Sequence, residues 1–137
     1  MRCVEQTFRQ PQIDDPVPIA RTAALSLAAG AVKPGDRVAV PVGSRGIAHI
    51  AGIAKAVVHA LRELRARPFI VPAMGSHGGG TAEGQARVLE TLGITEQTTG
   101  APVMSSMDVI PLGSTPEGIP VFIDANAARA NHVLLIN

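Results

Sequence analysis

RVAVPVGSRG, residues 37–46, is the stretch that decides the fold class. Its first part, 37–42, is a β-branched apolar run with a glycine on each side, which is typical of a strand buried on both faces of a parallel sheet. Apolar positions then recur at i, i+3, i+4 and i+7 over 48–66 and predict a long amphipathic helix. A second buried strand, FIVPAM, is predicted at 69–74. This order predicts a parallel βαβ unit and a layered α/β domain.

Capping residues mark two further helices. Asp15 followed by Pro16 is typical of a helix cap and first turn, and it predicts a helix that ends at Gly30. Thr81 is the predicted N-cap of a helix that runs to about Leu92. The core that these elements enclose is predicted to be aliphatic, because the aromatic residues amount to three Phe.

The C-terminal part of the chain is rich in short strands. Three of them are predicted, at 102–106, 109–112 and 119–124. Turn residues between the last two make 109–124 a candidate antiparallel hairpin. A short helix is expected near 125–130, followed by an apolar strand at 133–136 that is expected to be buried on both faces. The predicted fold is therefore α/β, a layered sheet of mainly parallel strands with flanking helices.

The length of 137 residues predicts one domain. Within it, residues 1–35 form an N-terminal segment and first helix, and residues 36–137 form the α/β part. The last apolar strand is expected to need cover that the sequence does not show, so we expect the domain to be truncated at its C-terminus. The expected partners are accordingly a missing C-terminal domain or a second copy in a homo-oligomer.

Charge and composition exclude several classes of partner. Twelve Lys and Arg against eleven Asp and Glu give a net charge of +1 without a basic block, and aromatic residues for stacking are scarce, so no nucleic acid partner is expected. No stretch reaches the roughly eighteen apolar residues of a membrane span, and no signal peptide is visible, so we expect a cytoplasmic protein without membrane contact. The lone Cys3 fits a reducing compartment.

Two glycine-rich segments, 42–46 and 75–80, follow the predicted strands and connect each of them to a helix. In parallel sheets such loops face one crevice, so both are expected to line the same site. Neither matches GxxxxGK[ST] or GxGxxG, which excludes the common nucleotide-binding loops. Glycines let a loop aim backbone N–H groups at an anion. The residues predicted to bind an anion in this way are Gly43, Gly75, Ser76, Gly78, Gly79 and Thr81.

Each loop also carries one side chain with chemistry. Arg45 can bind a carboxylate through two parallel hydrogen bonds, and His77 can move a proton near neutral pH. Together they predict a site for a small 2-hydroxy or 2-oxo acid. The alternatives are that Arg45 is merely solvated and that His77 is a turn residue bonded to nearby backbone.

The remaining histidines and two aspartates have simpler interpretations. A solvated or packing role is expected for His49, His59 and His132. Asp108 and Asp124 lie at predicted strand ends or turns, where we expect them to cap backbone groups.

The ordered motifs carry a family resemblance. The Ser-Arg loop, the Gly-Ser-His loop with Thr81, LETLGI and the run PLGSTPEGIPVFIDANAARANHVLLIN together resemble the N-terminal half of the nickel-dependent lactate racemase family over about residues 36–137. The resemblance implies a racemase that moves a hydride between the α-carbon of a 2-hydroxy acid and a nickel-pincer nucleotide. It also implies that Arg45 and Ser44 bind substrate and that His77 is the catalytic residue that exchanges the hydroxyl proton.

The chain departs from the family pattern at several positions. Val42 stands where the family has Asp, Gly46 where it has Pro, and Ser44 and Ser76 where it has Thr. The family's second catalytic histidine, cofactor-bearing lysine and nickel-binding histidine lie beyond the strand at 133–136. We therefore expect no metal ligand and no cofactor in this chain, with the nickel-pincer nucleotide expected in the full-length family.

Two hypotheses of function follow. The first is the N-terminal, substrate-binding portion of a lactate racemase-like 2-hydroxy acid racemase or epimerase, a fragment of an isomerase that is inactive alone. The alternative is a non-catalytic small-anion-binding or scaffold domain of the same fold.

Overall fold

The computed structural model describes Val4, Thr7 and residues 13–136, and Cys3 lies outside the described residues. The helices in this part are α1 (Pro16–Ala28), α2 (Ile50–Glu63), α3 (Ala82–Thr91), α4 (Glu96–Thr99) and α5 (Ala125–Ala128), with a 3₁₀ turn at His77–Gly80. The strands are β1 (Arg37–Val42), β2 (Arg67–Pro72), β3 (Val109–Ser114), β4 (Pro120–Asp124) and β5 (His132–Val133).

The fold is α/β, as the sequence predicts. A three-stranded sheet of order β2-β1-β5 is parallel throughout, and β3 and β4 form a separate antiparallel hairpin. The central strand β1 pairs with β2 in register from Arg37 opposite Arg67 to Val42 opposite Pro72. Both strands therefore end at the same edge of the sheet.

An aliphatic core holds the helices on one face of this sheet. Val40 of β1 and Ile70 of β2 pack there with Val58 and Leu61 of α2, all of them fully buried. The helix α2 can do this because its apolar residues recur at helical spacing, as predicted. Each such side chain contributes about 1.5–3 kcal/mol on burial. The opposite face carries a smaller cluster built around Phe69.

Capping residues act as the sequence indicates. Asp15 accepts a hydrogen bond from the Val17 N–H at 3.0 Å at the start of α1. Thr81 accepts one from the Gly84 N–H at 3.1 Å at the start of α3. Asp124 accepts from two N–H groups at the start of α5, which confirms its predicted capping role.

Two predicted boundaries were wrong. The helix predicted over 48–66 is shorter, because His49 before it and Arg65 after it have positive φ of 58° and 60° and leave the helical region. The strand predicted at 69–74 begins two residues earlier, since the Arg67 N–H bonds to the Asp36 carbonyl beside β1.

The strand predicted at 102–106 is wrong, and prolines explain why. The segment makes one isolated bridge, at Ile70 and Val103, in which Ile70 donates to the Pro102 carbonyl and Met104 donates to the Ile70 carbonyl. Along β2, the backbone groups of Pro68, Ile70 and Pro72 point away from β1, toward this segment. The two prolines have no N–H, so they cannot extend the pairing beyond Ile70. The short helix α4 (Glu96–Thr99) precedes this segment, and no helix was predicted there.

The C-terminal strand is also less buried than predicted. β5 covers only His132–Val133, with a further bridge between Ile136 and Val42. Ile136 is buried, but Val133 is 49% exposed and Leu135 is 63% exposed. Leu134 and Ile136 pack against the helical core, whereas Val133 and Leu135, which alternate with them along the chain, stay largely exposed.

A polar contact ties β5 to the turn before β1. Asp36 accepts a hydrogen bond from the Lys33 N–H at 2.8 Å, and its Oδ2 lies 3.0 Å from Nε2 of His132. The solvated or packing role predicted for His132 is therefore incomplete, because its ring makes a specific polar contact with Asp36. The hydrogen bond from Lys33 and then the contact with His132 lower the pKa of Asp36 below its usual value.

We expect Asp36→Asn to flatten the dependence of stability on acid pH. A carboxyl whose folded pKa lies below its unfolded pKa contributes stability above the unfolded pKa and loses it as the pH falls through the folded pKa. The urea midpoint of the variant should lie below wild type at about pH 5 and approach it by about pH 2. Asp14→Asn, at an exposed position before α1, is the control. A difference that is constant over this range would contradict the role of Asp36.

Candidate functional site

The candidate site is formed by two loops that leave the sheet side by side. The first follows β1 and leads to α2, and the second follows β2 and leads to the 3₁₀ turn and α3. The Ala73 N–H donates a hydrogen bond to the Val42 carbonyl at 2.9 Å. The parallel pairing of β1 and β2 therefore continues for one residue past the end of β2. The prediction that both glycine-rich segments lie at one edge of the sheet is therefore met.

A hydrogen bond between side chains joins the two loops. Oγ of Ser44 lies 2.5 Å from Nδ1 of His77, and both residues are partly buried. The His77 ring thus bonds across to the other loop. The alternative, a turn residue bonded to nearby backbone, also describes part of what is seen, since His77 begins the 3₁₀ turn and its N–H bonds to the Met74 carbonyl at 3.3 Å. In the described part of the chain Nε2 of His77 has no hydrogen-bond partner, and no fully buried side-chain polar atom there is unsatisfied, so Nε2 is at least partly accessible.

Arg45 lies next to this pair. Its Cα is about 3.8 Å from that of Ser44, as for any trans-linked neighbours. The residue is exposed, and within residues 13–136 its side chain has no hydrogen-bond partner. Its guanidinium is therefore available to an incoming carboxylate, but no protein group holds it in place.

The glycines of the second loop allow a tight turn against α3. Gly78, Gly79 and Gly80 all have positive φ, between 63° and 71°. Gly78 and Gly84 touch backbone to backbone, so that a Cβ on either would overlap the other residue. This close approach is the reason for glycine at both positions.

Two side chains, that of the N-cap Thr81 and that of Gln85 in α3, hold the loop in this shape. Thr81 donates to the Gly78 carbonyl at 3.2 Å while it caps the helix. Gln85 is 5% exposed and donates to the Gly75 carbonyl at 2.7 Å. Thr81, predicted to bind an anion, is thus occupied with backbone groups. Gln85 was missed, although a glutamine on the same helical face as the capping threonine, four residues on, is a usable signal.

Two of the other predicted anion-binding residues lie at the loop surface. Gly75 and Ser76 are exposed, and the Ser76 side chain makes no capping bond. Glu83 lies in the first turn of α3, where its negative charge already occupies the position that would favour an anion. The chemistry of the site therefore rests on Ser44, Arg45 and His77.

A mostly apolar cavity of about 300 Å³ lies at the roots of the same loops. Pro41, Pro72 and Ala73 line it from the sheet, and Phe122 and Asp124 line it from the hairpin. Ala73 is the first residue of the second loop, whereas Ser44, Arg45 and His77 do not line the cavity. The space is suitable for a small apolar group.

Metal binding finds no support in the described part of the chain. No three His, Cys, Asp or Glu residues within 13–136 are grouped so that they could hold a metal ion. In the same residues, none of the helices is both long and apolar enough to cross a bilayer.

Comparisons of the chain with protein-family models, with curated proteins and with solved structures found no match.

We expect Gly78→Ala to destabilise the second loop much more than Gly79→Ala. Both positions have positive φ, which costs a non-glycine residue about 1–2 kcal/mol. A Cβ at Gly79 meets nothing within 4 Å, whereas at Gly78 it overlaps the backbone at Gly84. Equal losses in free energy of unfolding, measured with urea, would contradict the close approach.

Proposed function

We propose that this chain is the substrate-binding portion of a lactate racemase-like enzyme that inverts a 2-hydroxy acid. The hydrogen bond between Ser44 and His77 supports the proposal most strongly, because it joins the proton-transfer candidate of one loop to the residue that precedes Arg45, the carboxylate-binding candidate, in the other. The order of the sequence motifs supports the same assignment.

Each residue has one role in the proposed chemistry. Arg45 binds the substrate carboxylate, which orients the α-carbon and its hydroxyl group. Nε2 of His77 removes the hydroxyl proton and returns it when the alcohol forms again. The hydride that the α-carbon loses in between would go to the nickel-pincer nucleotide that the family resemblance implies.

The residues described here do not fit a nickel site, since one imidazole, one hydroxyl and one guanidinium make no metal-binding set. The nickel-pincer nucleotide implied by the family resemblance would be held by residues other than Ser44, Arg45 and His77. This chain's share of the reaction is substrate binding and the proton at the hydroxyl oxygen.

Val42 limits how the hydroxyl group is recognised. Its side chain is fully buried in the core, so it faces the helices and not the loops. Because this residue is Val, the site lacks the carboxylate that the lactate racemase family has at the corresponding position. Recognition of the hydroxyl group depends on Ser44 and His77 alone.

A second candidate is a small-anion-binding or scaffold domain without catalysis. The exposed and unattached Arg45 side chain and the buried Val42 favour it. Such a domain would bind phosphate at least as well as a hydroxy acid, because nothing in it would depend on a hydroxyl group.

We expect lactate to bind the protein and Arg45→Ala to weaken the binding roughly 10-fold to 100-fold. This range corresponds to about 1.5–3 kcal/mol for hydrogen bonds to a charged group. NMR titrations with lactate, propionate and phosphate measure the affinity and its dependence on the hydroxyl group. Arg129→Ala, another exposed arginine, is the matched control. A preference for phosphate that ignores Arg45 would support the scaffold alternative.

A second copy of the chain is the proposed cover for the exposed edge of the sheet. The N–H groups of Leu134 and Ile136 bond to carbonyl groups of β1. Those of Val133 and Leu135 point away from β1, and the side chains of these two residues are exposed. Phe122 and Val121 of the neighbouring hairpin add further exposed apolar surface. Two such edges can pair about a twofold axis.

We expect the protein to dimerise in sedimentation experiments at micromolar concentration and Leu135→Asp to shift it to monomer. A charge at this position would be desolvated at the edge-to-edge contact. Ile19→Asp, an exposed apolar position on α1, should leave the dimer intact. A wild-type protein that stays monomeric at every concentration would contradict self-association.

A further inference from the structure

We infer that Ser44 is a positioning residue that sets the tautomer of His77, accepting a hydrogen bond from Nδ1–H so that Nε2 is the proton acceptor. The inference rests on the proposed function, in which His77 takes a proton from the substrate. It goes further by assigning Ser44 to the imidazole and not only to the substrate.

The 2.5 Å contact between Oγ and Nδ1 allows two arrangements. If the hydroxyl donates to Nδ1, the neutral ring carries its proton on Nε2 and cannot accept another there. If Nδ1–H donates to the hydroxyl oxygen, Nε2 keeps its lone pair. Only the second arrangement lets Nε2, the ring nitrogen that is not bonded to Ser44, act as a base.

The surrounding contacts hold the His77 backbone in place, so that Ser44 needs only to orient the ring. Gln85 anchors the Gly75 carbonyl before His77, and the packing of Gly78 on Gly84 anchors the residue after it. The ring then turns about its side-chain bonds alone. A bond at Nδ1 across the two loops fixes this rotation, and in the second arrangement it also keeps the ring proton on Nδ1.

The second arrangement also leaves the Ser44 hydroxyl with a proton to donate. Within residues 13–136, Oγ of Ser44 has no partner other than His77. A substrate carboxylate held by the adjacent Arg45 is a suitable acceptor. One hydroxyl would then connect the base to the bound anion, accepting from the ring and donating to the substrate.

Long-range proton–nitrogen NMR on the ¹⁵N-labelled protein tests this inference without any ligand. The nitrogen shifts distinguish the Nδ1–H from the Nε2–H tautomer once the rings are neutral, and His77→Gln assigns the signals among the four histidines. We expect the Nδ1–H tautomer for His77 in the wild type. Ser44→Ala should lose it, and Ser44→Thr, which keeps the hydroxyl, should retain it.

An Nε2–H tautomer in the wild type would overturn the inference, even if Ser44→Ala does not fold. An Nδ1–H tautomer that survives in a folded Ser44→Ala would overturn it as well. Because the spectra need no substrate, the two failures are distinct. Arg45-dependent lactate binding with an Nε2–H ring refutes the role of Ser44 alone, whereas an Nδ1–H ring without lactate binding refutes the proposed function.

Discussion

The in-register parallel pairing of β1 with β2 is the constraint on which the rest of the structure depends. It places Val42 opposite Pro72, so that both chains leave the sheet at one edge and Ser44 reaches His77 across the gap. The same register directs Val40 and Ile70 into the helical core. A slip by one residue would turn these side chains to the other face and separate the two loops.

Prolines define how far the sheet extends on either side of this pair. The backbone nitrogen of Pro41 points toward β5. The backbone nitrogens of Pro68 and Pro72 point toward the segment that contains Val103, on the other side of the strand pair. None of the three can donate to a ladder, so pairing on both outer sides is interrupted. The result is a narrow sheet in which the central strand pair is the regular part and the site lies at its end.

Local signals in the sequence were enough for much of the fold. The bounds of β1, the caps at Asp15 and Thr81 and the hairpin all follow from turn residues and periodicity within a few positions. Pairing between distant segments was harder to predict, because Pro68 and Pro72 affect residues 102–106 only through the sheet. The exposure of Val133 and Leu135 likewise depends on which strand lies at the edge.

The same distinction applies to the candidate site. Two strand-end loops at one edge could be predicted from the order of strands and helices, but the bond from Ser44 to His77 spans 33 positions and needs the register. The buried contact from Gln85 to Gly75 is equally a product of tertiary packing. The proposed chemistry depends on the two loops acting as one site. A map of backbone amide shifts on addition of lactate tests this most directly: the proposal predicts that amides of residues 43–46 and 75–80 shift together with one affinity, and shifts confined to one loop or located elsewhere would contradict it.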